Sequence, residues 1–151
     1  MRDLDLRGHF TRDRPIDLER SVLLVIDVQN ATIGEAESKT QPFFYNQASN
    51  TAIPNIAHLQ VACRKVGIEV MFTVIENLTL DGRDRGLDYK ISGFNVPKGS
   101  WGAKVIDMVS PVGDEIVLPK TSSGLFNSTN FDYLLRNMNI DSVLVTGFLT
   151  D

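Results

Sequence analysis

An aspartate and a lysine stand where two apolar stretches of the sequence end. Asp27 closes SVLLVID, and Lys120 follows EIVLP. A carboxylate can accept a proton and an ammonium group can stabilise negative charge, so the two together suit acid–base chemistry. Each has a simpler interpretation, with Asp27 capping a turn and Lys120 as a solvated surface lysine. The functional interpretation is favoured because an acid that ends an all-apolar segment is expensive to bury without a role.

The segments that position these residues alternate between apolar runs and amphipathic stretches. Strands are predicted at 21–27, 68–75, 115–118 and 141–147, since short runs rich in Val and Ile are typical of strands buried on both faces. Helices are predicted from 49 or 50 to 66, from 101 to about 109, and from 129 to about 138. The alternation predicts a doubly wound, mostly parallel α/β sheet with helices on both faces. Its site is then expected at the carboxyl ends of the strands.

The remaining segments are predicted to be irregular. Residues 1–20 form an arm before a domain at 21–151, and polar segments 28–50 and 77–100 are predicted as long loops. On the helix before Gly67 the predicted apolar face is Ala52, Ile56, Leu59, Cys63 and Val66. Cys63 therefore indicates core packing rather than a nucleophile, whereas His58 lies off that face and is expected in solvent. Glu76 is predicted on a loop surface.

Composition excludes several classes of protein. The 151 residues include 15 basic and 19 acidic ones, and the net charge of −4 disfavours nucleic acid binding. No apolar run approaches the roughly 18–20 residues of a membrane span, and the charged N-terminus is unlike a secretory signal. The single cysteine, Cys63, excludes an internal disulfide and a cysteine-based zinc site, and it fits a reducing, cytoplasmic compartment.

Four motifs extend the pattern around Asp27 and Lys120. They are VIDVQN at 25–30, KGSW at 98–101, VLPKTSSGLFNST at 117–129 and VLVTGFLTD at 143–151. In this order and spacing they resemble the isochorismatase-like cysteine hydrolases, from about Val22 to the last residue. The resemblance implies that family's Rossmann-like three-layer fold. It is strongest toward the ureidoacrylate and N-carbamoyl amidohydrolase branch.

The resemblance implies an Asp-Lys-Cys triad that cleaves a C–N bond. Asp27 and Lys120 match its first two members, and the cysteine is expected two residues after Asp151, outside these 151 residues. A chain ending at Asp151 is therefore expected to be truncated after its fourth strand and inactive by itself. In the implied mechanism a thiolate attacks a carbonyl carbon and forms an acyl-enzyme, which water clears. Asp27 takes the thiol proton, and Lys120 orients Asp27.

Further site residues are implied by the same resemblance. Backbone N–H groups around Leu149 receive the oxyanion, in a turn with a cis peptide between Phe148 and Leu149. Substrate-binding residues are expected beside the site at Gln29, Asn30, Trp101, Phe126 and Asn127. For Trp101 and Phe126, lining a pocket and covering the core remain equal alternatives.

No metal and no cofactor are expected. Nicotinamidases of the family carry an acid-and-histidine metal cluster after the first strand, whereas His58 is the only histidine between Asn30 and Ile75. The expected partner is a small-molecule amide or ureide, with no nucleic acid and no membrane. The resemblance also implies a homo-oligomer.

Two functions of other kinds remain as alternatives. A truncated family member would bind or interact without turnover. A response-regulator receiver domain also places an acid after its first strand and a lysine after a late strand. It needs a second acid beside the first, however, and Val28 follows Asp27 here. It also needs an acid ending the third strand, which this sequence lacks there.

Overall fold

A four-stranded sheet forms the centre of the computed structural model, which describes residues 15–148. The strands are β1 (Ser21–Ile26), β2 (Glu69–Ile75), β3 (Val117–Lys120) and β4 (Ser142–Gly147). Their order is β3-β2-β1-β4, and each neighbouring pair is parallel. The predicted parallel α/β sheet is confirmed. Because β1 lies between β2 and β4, the residue that follows β1 is central on the carboxyl edge.

Helices cover both faces of this sheet. Successive residues of a strand point to opposite faces, and β1 accordingly contributes to two apolar cores. Leu23 packs with buried residues of α3 (Ile53–Val66) on one face. Leu24 packs with α6 (Phe131–Asn137) on the other. The predicted burial of the strands on both sides is therefore confirmed for the central strand.

The long helix α3 ends where the sequence predicts. Gly67 follows it in the left-handed conformation, with φ of 79°, which glycine adopts without steric cost. Its buried face consists of Ile53, Ile56, Gln60 and Cys63. Val66 was expected on that face but is 49% exposed. The buried positions recur at intervals of three and four, so the stripe passes Val66 and continues toward Gly67.

The predicted loop at 28–50 is wrong in its second half. It contains α1 (Glu35–Thr40) and α2 (Pro42–Gln47), and a π-helical turn at Ala48–Ala52 leads into α3. The Gly34 N–H donates to Oε2 of Glu37 across 2.8 Å and so caps α1. Pro42 begins α2, a position where its missing N–H costs nothing. Helices of six residues carry too little apolar periodicity to be found by pattern.

The segment 101–109, predicted as a helix, instead forms two 3-10 turns, Trp101–Ala103 and Asp107–Val109. Between and around them the chain pairs with the segment after β1. The carbonyls of Gly102 and Lys104 accept from the N–H groups of Ala31 and Asn30, both at 3.0 Å. These tertiary hydrogen bonds occupy groups that a continuous helix would need for itself.

Three smaller differences complete the architecture. β3 was expected to close before Pro119 but includes Pro119 and Lys120. It is an edge strand, where a proline without an N–H is tolerated. The polar segment 77–100 contains α4 (Leu87–Ser92), and α5 (Leu125–Ser128) precedes α6. Leu18–Arg20, within the predicted arm, forms one 3-10 turn.

Candidate active site

Asp27 lies immediately after β1 in a left-handed backbone conformation, with φ of 53°. This conformation is uncommon for residues other than glycine, and aspartate is among those that tolerate it best. The turn is held by hydrogen bonds. The Asp27 N–H donates to the Thr73 carbonyl at 3.1 Å, and the Thr32 hydroxyl donates to the Asp27 carbonyl at 2.6 Å. The turn directs the carboxylate along the carboxyl edge, and the residue is only 7% exposed.

Lys120 reaches the same place from the end of β3. Its Nζ lies 2.7 Å from Oδ2 of Asp27, and the two side chains are 3% and 10% exposed. Because β2 separates β3 from β1, the lysine side chain spans the end of the intervening strand. Asp27 and Lys120 therefore meet at the carboxyl ends of the strands, which is where the sequence analysis expects the site. The same ammonium also donates to the Ser122 carbonyl at 3.4 Å.

Thr73 is a site residue that the sequence analysis missed. It lies in β2, is fully buried, and its hydroxyl donates to Oδ1 of Asp27 at 2.7 Å. Each carboxylate oxygen of Asp27 therefore has its own donor, with Thr73 on one and Lys120 on the other. A signal was available, because Thr73 is the one hydroxyl in the apolar run IEVMFTVI.

A cavity of about 800 Å³ opens beside this pair, a volume within the usual range of small-molecule sites. Asp27 and Lys120 both line it. The predicted loops contribute much of the remaining wall, with Thr32, Glu37, Gln41, Phe44, Tyr89, Ser92, Phe94 and Ser123 among the lining residues. None of these eight was identified from the sequence, because they lie in short helices and turns without apolar periodicity.

One wall of the cavity is tied together by a hydrogen bond. The Ser123 hydroxyl donates to Oδ2 of Asp88 at 2.8 Å, which joins the turn after β3 to α4. The same hydrogen bond lowers the pKa of the Asp88 carboxyl, more than its desolvation raises it. Tyr89, the next residue of α4, lines the cavity.

The residues expected to bind substrate lie elsewhere, since none of the five lines this cavity. Gln29 is fully buried, and its Nε2 donates to the carbonyls of Ile75 and Gly102, each at 2.9 Å. Its Oε1 accepts from the Ile75 N–H at 2.6 Å. Every polar group of the Gln29 side chain thus binds backbone. This arrangement fixes the end of β2 to the Trp101–Ala103 turn rather than facing a ligand.

The other four are placed on the surface or in turn contacts. Asn30 donates from Nδ2 to the Trp101 carbonyl at 3.0 Å. Trp101 is 66% exposed and Phe126 62% exposed, so neither covers core completely nor lines the cavity. Phe126 meets Phe131 edge to face with ring centroids 5.4 Å apart. Asn127 is exposed.

Phe148 is the last residue that the structure describes, and it lines the cavity. Its ring meets Phe44 edge to face at 5.4 Å. Gly147 before it packs so closely on β1 that a Cβ there would overlap the Ile26 carbonyl oxygen. The expected cis peptide to Leu149 and the oxyanion donors around Leu149 lie outside residues 15–148.

Cys63 and His58 are placed as the sequence predicts. Cys63 is 3% exposed within α3, and burial raises the pKa of its thiol. A thiol in apolar surroundings stays protonated and is a poor nucleophile. His58 is exposed on the outer side of the same helix.

Over residues 15–148, no three His, Cys, Asp or Glu side chains are grouped as a metal ion would require. The same part of the chain contains no helix with the length and apolar character needed to cross a bilayer.

Curated relatives match most of this chain. N-carbamoylsarcosine amidase from Arthrobacter sp is 31% identical over 135 residues, which are 85% of this chain and 48% of that protein. Ureidoacrylate amidohydrolase RutB from Pantoea ananatis is 29% identical over 150 residues, which are 88% of this chain and 60% of that protein. The chain therefore spans about half to three fifths of the length of these relatives.

Solved structures share the fold. A cysteine hydrolase from Pseudomonas syringae pv. phaseolicola 1448A aligns with a TM-score of 0.76 and 21% identity, over 91% of this chain and 63% of that one. N-carbamoylsarcosine amidase from Thermoplasma acidophilum aligns with a TM-score of 0.65 and 27% identity, over 85% and 67%. Residues 21–151, from the start of β1 onward, match the family model described as the isochorismatase domain. This chain belongs to the isochorismatase family.

Proposed function

We propose that the protein is a cysteine amidohydrolase that cleaves a C–N bond of a small amide or of a ureido or carbamoyl compound. Its relatives include proteins named N-carbamoylsarcosine amidase and ureidoacrylate amidohydrolase. The observation that carries the proposal is the buried Asp27–Lys120 pair on the wall of a ligand-sized cavity. Burying two charges is costly even when they pair with each other, and this buried pair lies where a ligand in the cavity would contact it.

In the proposed reaction Asp27 is the general base. It takes the proton of a cysteine thiol expected two residues after Asp151, and the sulfur forms a bond to the carbonyl carbon. The C–N bond then breaks, and Asp27 returns the proton to the leaving nitrogen. Water next adds to the acyl carbon and releases the acid and the thiol. Lys120 holds the Asp27 carboxylate in place and favours the thiolate beside it.

The test uses protein expressed from its complete reading frame. Ammonia release is measured over a panel of N-carbamoyl compounds, ureido compounds and simple amides whose non-reacting ends are cationic, neutral or anionic. Asp27→Asn is expected to lower kcat/KM by about 10²- to 10⁴-fold, the usual contribution of a general base, with an unchanged circular dichroism spectrum. Mass spectrometry during turnover is expected to show a covalent acyl adduct on a cysteine other than Cys63.

Two surface variants serve as controls for charge removal. Asp132→Asn and Lys39→Met neutralise one partner of exposed ion pairs on α6 and α1 and are expected to keep full activity. Near-normal turnover by Asp27→Asn would remove Asp27 from the mechanism. Tight binding of panel compounds without turnover by the wild-type protein would favour a non-catalytic binding module instead.

A further inference from the structure

Aromatic rings form two pairs on the wall of the cavity. Phe44 and Phe148 meet edge to face at 5.4 Å with an interplanar angle of 84°, and Tyr89 and Phe94 meet at 5.3 Å and 58°. All four residues line the cavity. Because the face of an aromatic ring is electron-rich, such a wall attracts organic cations as well as apolar groups.

The charges on the described wall are also unbalanced toward negative. Lys120 is neutralised by Asp27 at 2.7 Å, and Glu37 supplies a second carboxylate. Oε2 of Glu37 accepts from the Gly34 N–H at 2.8 Å, which leaves the second oxygen of this carboxylate without a hydrogen bond to the residues that the structure describes. The nearby guanidinium of Arg85 is directed to the Phe94 carbonyl at 3.0 Å, and Arg85 is not among the lining residues.

We propose that the non-reacting end of the substrate is a cation, such as a protonated amine or a methylated ammonium group, held by Glu37 and the aromatic pairs. For its catalytic consequence the inference rests on the proposed function, since the reacting amide must lie at Asp27. Among the lining residues within 15–148, a carboxylate at that end would meet Glu37 and no cation other than Lys120, which Asp27 already pairs, so it is disfavoured.

Binding of three benzyl compounds tests the charge preference without any turnover. Benzyltrimethylammonium, benzyl alcohol and benzoate share one ring and differ in charge, and their dissociation constants are measured by ligand-observed NMR with the complete protein. The cation is expected to bind at least about tenfold more tightly than benzoate, with the alcohol between them. Equal affinities, or tighter binding of benzoate, would overturn the proposal.

Glu37→Gln removes the negative charge of residue 37 and is expected to leave the fold unchanged. Glutamine can keep the capping hydrogen bond to the Gly34 N–H, because both residues serve at this position of a capping box. The variant is expected to lose several-fold in affinity for benzyltrimethylammonium and little for benzyl alcohol. Glu35→Gln is the matched control, since Glu35 lies on the same helix in an exposed pair with Lys39 and does not line the cavity. An unchanged cation affinity in Glu37→Gln would contradict the role of Glu37.

Hydrolysis separates this inference from the proposed function. Three N-carbamoyl compounds of equal length, ending in a trimethylammonium, a methyl or a carboxylate group, are compared by kcat/KM. The order cation, neutral, anion supports the inference, and a preference for the carboxylate overturns it. If none is hydrolysed while the cation still binds best, the proposed function fails and the ligand preference of the cavity is supported.

Discussion

Two ion pairs lie at opposite ends of the strands of the sheet. The Asp27–Lys120 pair is at the carboxyl ends, and the Arg64–Glu115 pair is at the amino ends. In the first, one ammonium contacts one carboxylate oxygen at 2.7 Å, and the side chains are at most 10% exposed. In the second, Nε and Nη2 of Arg64 bind the two oxygens of Glu115 at 2.7 and 2.8 Å, with exposures of 27% and 14%. The arginine pair joins the end of α3 to the turn before β3.

The difference shows which features separate a functional ion pair from a structural one. A bidentate arginine–carboxylate contact with partial exposure has good geometry and a small desolvation cost, so it stabilises the fold. A single lysine contact buried almost completely repays less of its desolvation cost. At Asp27 that cost coincides with a left-handed backbone and an adjoining cavity. These three features together, rather than the ion pair alone, indicate the site.

Lys120→Met is the variant of this comparison with the largest expected loss in the free energy of unfolding. It leaves the Asp27 carboxylate buried without its cation, and removing one partner of a buried pair typically costs about 3–5 kcal/mol. The free energy of unfolding from urea titration at neutral pH is expected to fall by about that amount. Activity of the complete protein is expected to be lost with it. A loss below about 1 kcal/mol would mean that the pair is no more critical to stability than a surface contact.

Thr73→Val removes the second donor to Asp27 while keeping side-chain volume. A hydrogen bond to a charged group contributes about 1.5–3 kcal/mol, and the free energy of unfolding from urea titration is expected to fall by that order. Under the proposed function kcat is expected to fall by about tenfold or more with little change in KM, because Lys120 alone then holds the Asp27 side chain.

Thr73→Ser keeps the hydroxyl and is the control for Thr73→Val. It is expected to keep kcat close to the wild-type value, although it loses a methyl group from the core. A purely structural role for Thr73 predicts instead that both variants lose stability and that neither lowers kcat.

Glu115→Gln breaks the structural pair and is expected to cost about 1–2 kcal/mol at neutral pH without affecting activity. Burial raises the pKa of Glu115, but the hydrogen bonds from Arg64 and Val112 outweigh it, so the pKa is lowered from its ordinary 4.5. A lowered pKa gives stability that is complete above the ordinary value and disappears as the pH falls through the lowered one. The gap between wild type and variant in urea titrations should therefore shrink below about pH 4.5.

Glu69 offsets part of the stability that Glu115→Gln is expected to lose. Its pKa is raised by burial and then by the charges of Glu115 and Asp114, so its ionised form is disfavoured in the fold. Glu115→Gln relieves part of that repulsion and brings the expected cost toward 1 kcal/mol. A gap that widens as the pH falls would contradict the assigned sign for Glu115.

Much of the fold was predictable because its strongest signals are local. The strand around Leu23 is an uninterrupted apolar run, the strand around Phe72 is apolar from Val70 to Ile75 except at Thr73, and Gly67 marks the end of the long helix α3. The segments whose secondary structure was predicted wrongly take their structure from tertiary contacts. Backbone carbonyls of the segment after Trp101 accept hydrogen bonds from the N–H groups of Asn30 and Ala31. No local sequence pattern indicates that these carbonyls bond there rather than within a helix.

The candidate site was predictable in its centre and not in its walls. Asp27 and Lys120 each follow a recognisable strand, and parallel strands bring their carboxyl ends together. Gln29 binds backbone and does not line the cavity, and a polar residue after a strand looks the same in sequence whether it binds a ligand or backbone groups. Glu37 and Tyr89 depend on how α1 and α4 fold over the edge, which is not a periodic property of the sequence.

Asp132→Asn is expected to have the smallest effect on the free energy of unfolding. It tests whether the contribution of an ion pair to stability depends on its burial rather than on its N–O distance. Arg136 and Asp132 lie one helical turn apart on α6 with N and O only 2.5 Å apart, and their side chains are 77% and 55% exposed. Exposed pairs four residues apart contribute about 0.3–0.5 kcal/mol, because water and salt screen the charges and two long side chains lose freedom. Urea titrations at low and high salt are expected to show a loss no larger than this, disappearing at high salt. A loss above about 1 kcal/mol that survives high salt would mean that contact distance governs these pairs, and the contrast between the two edges of the sheet would then need another cause.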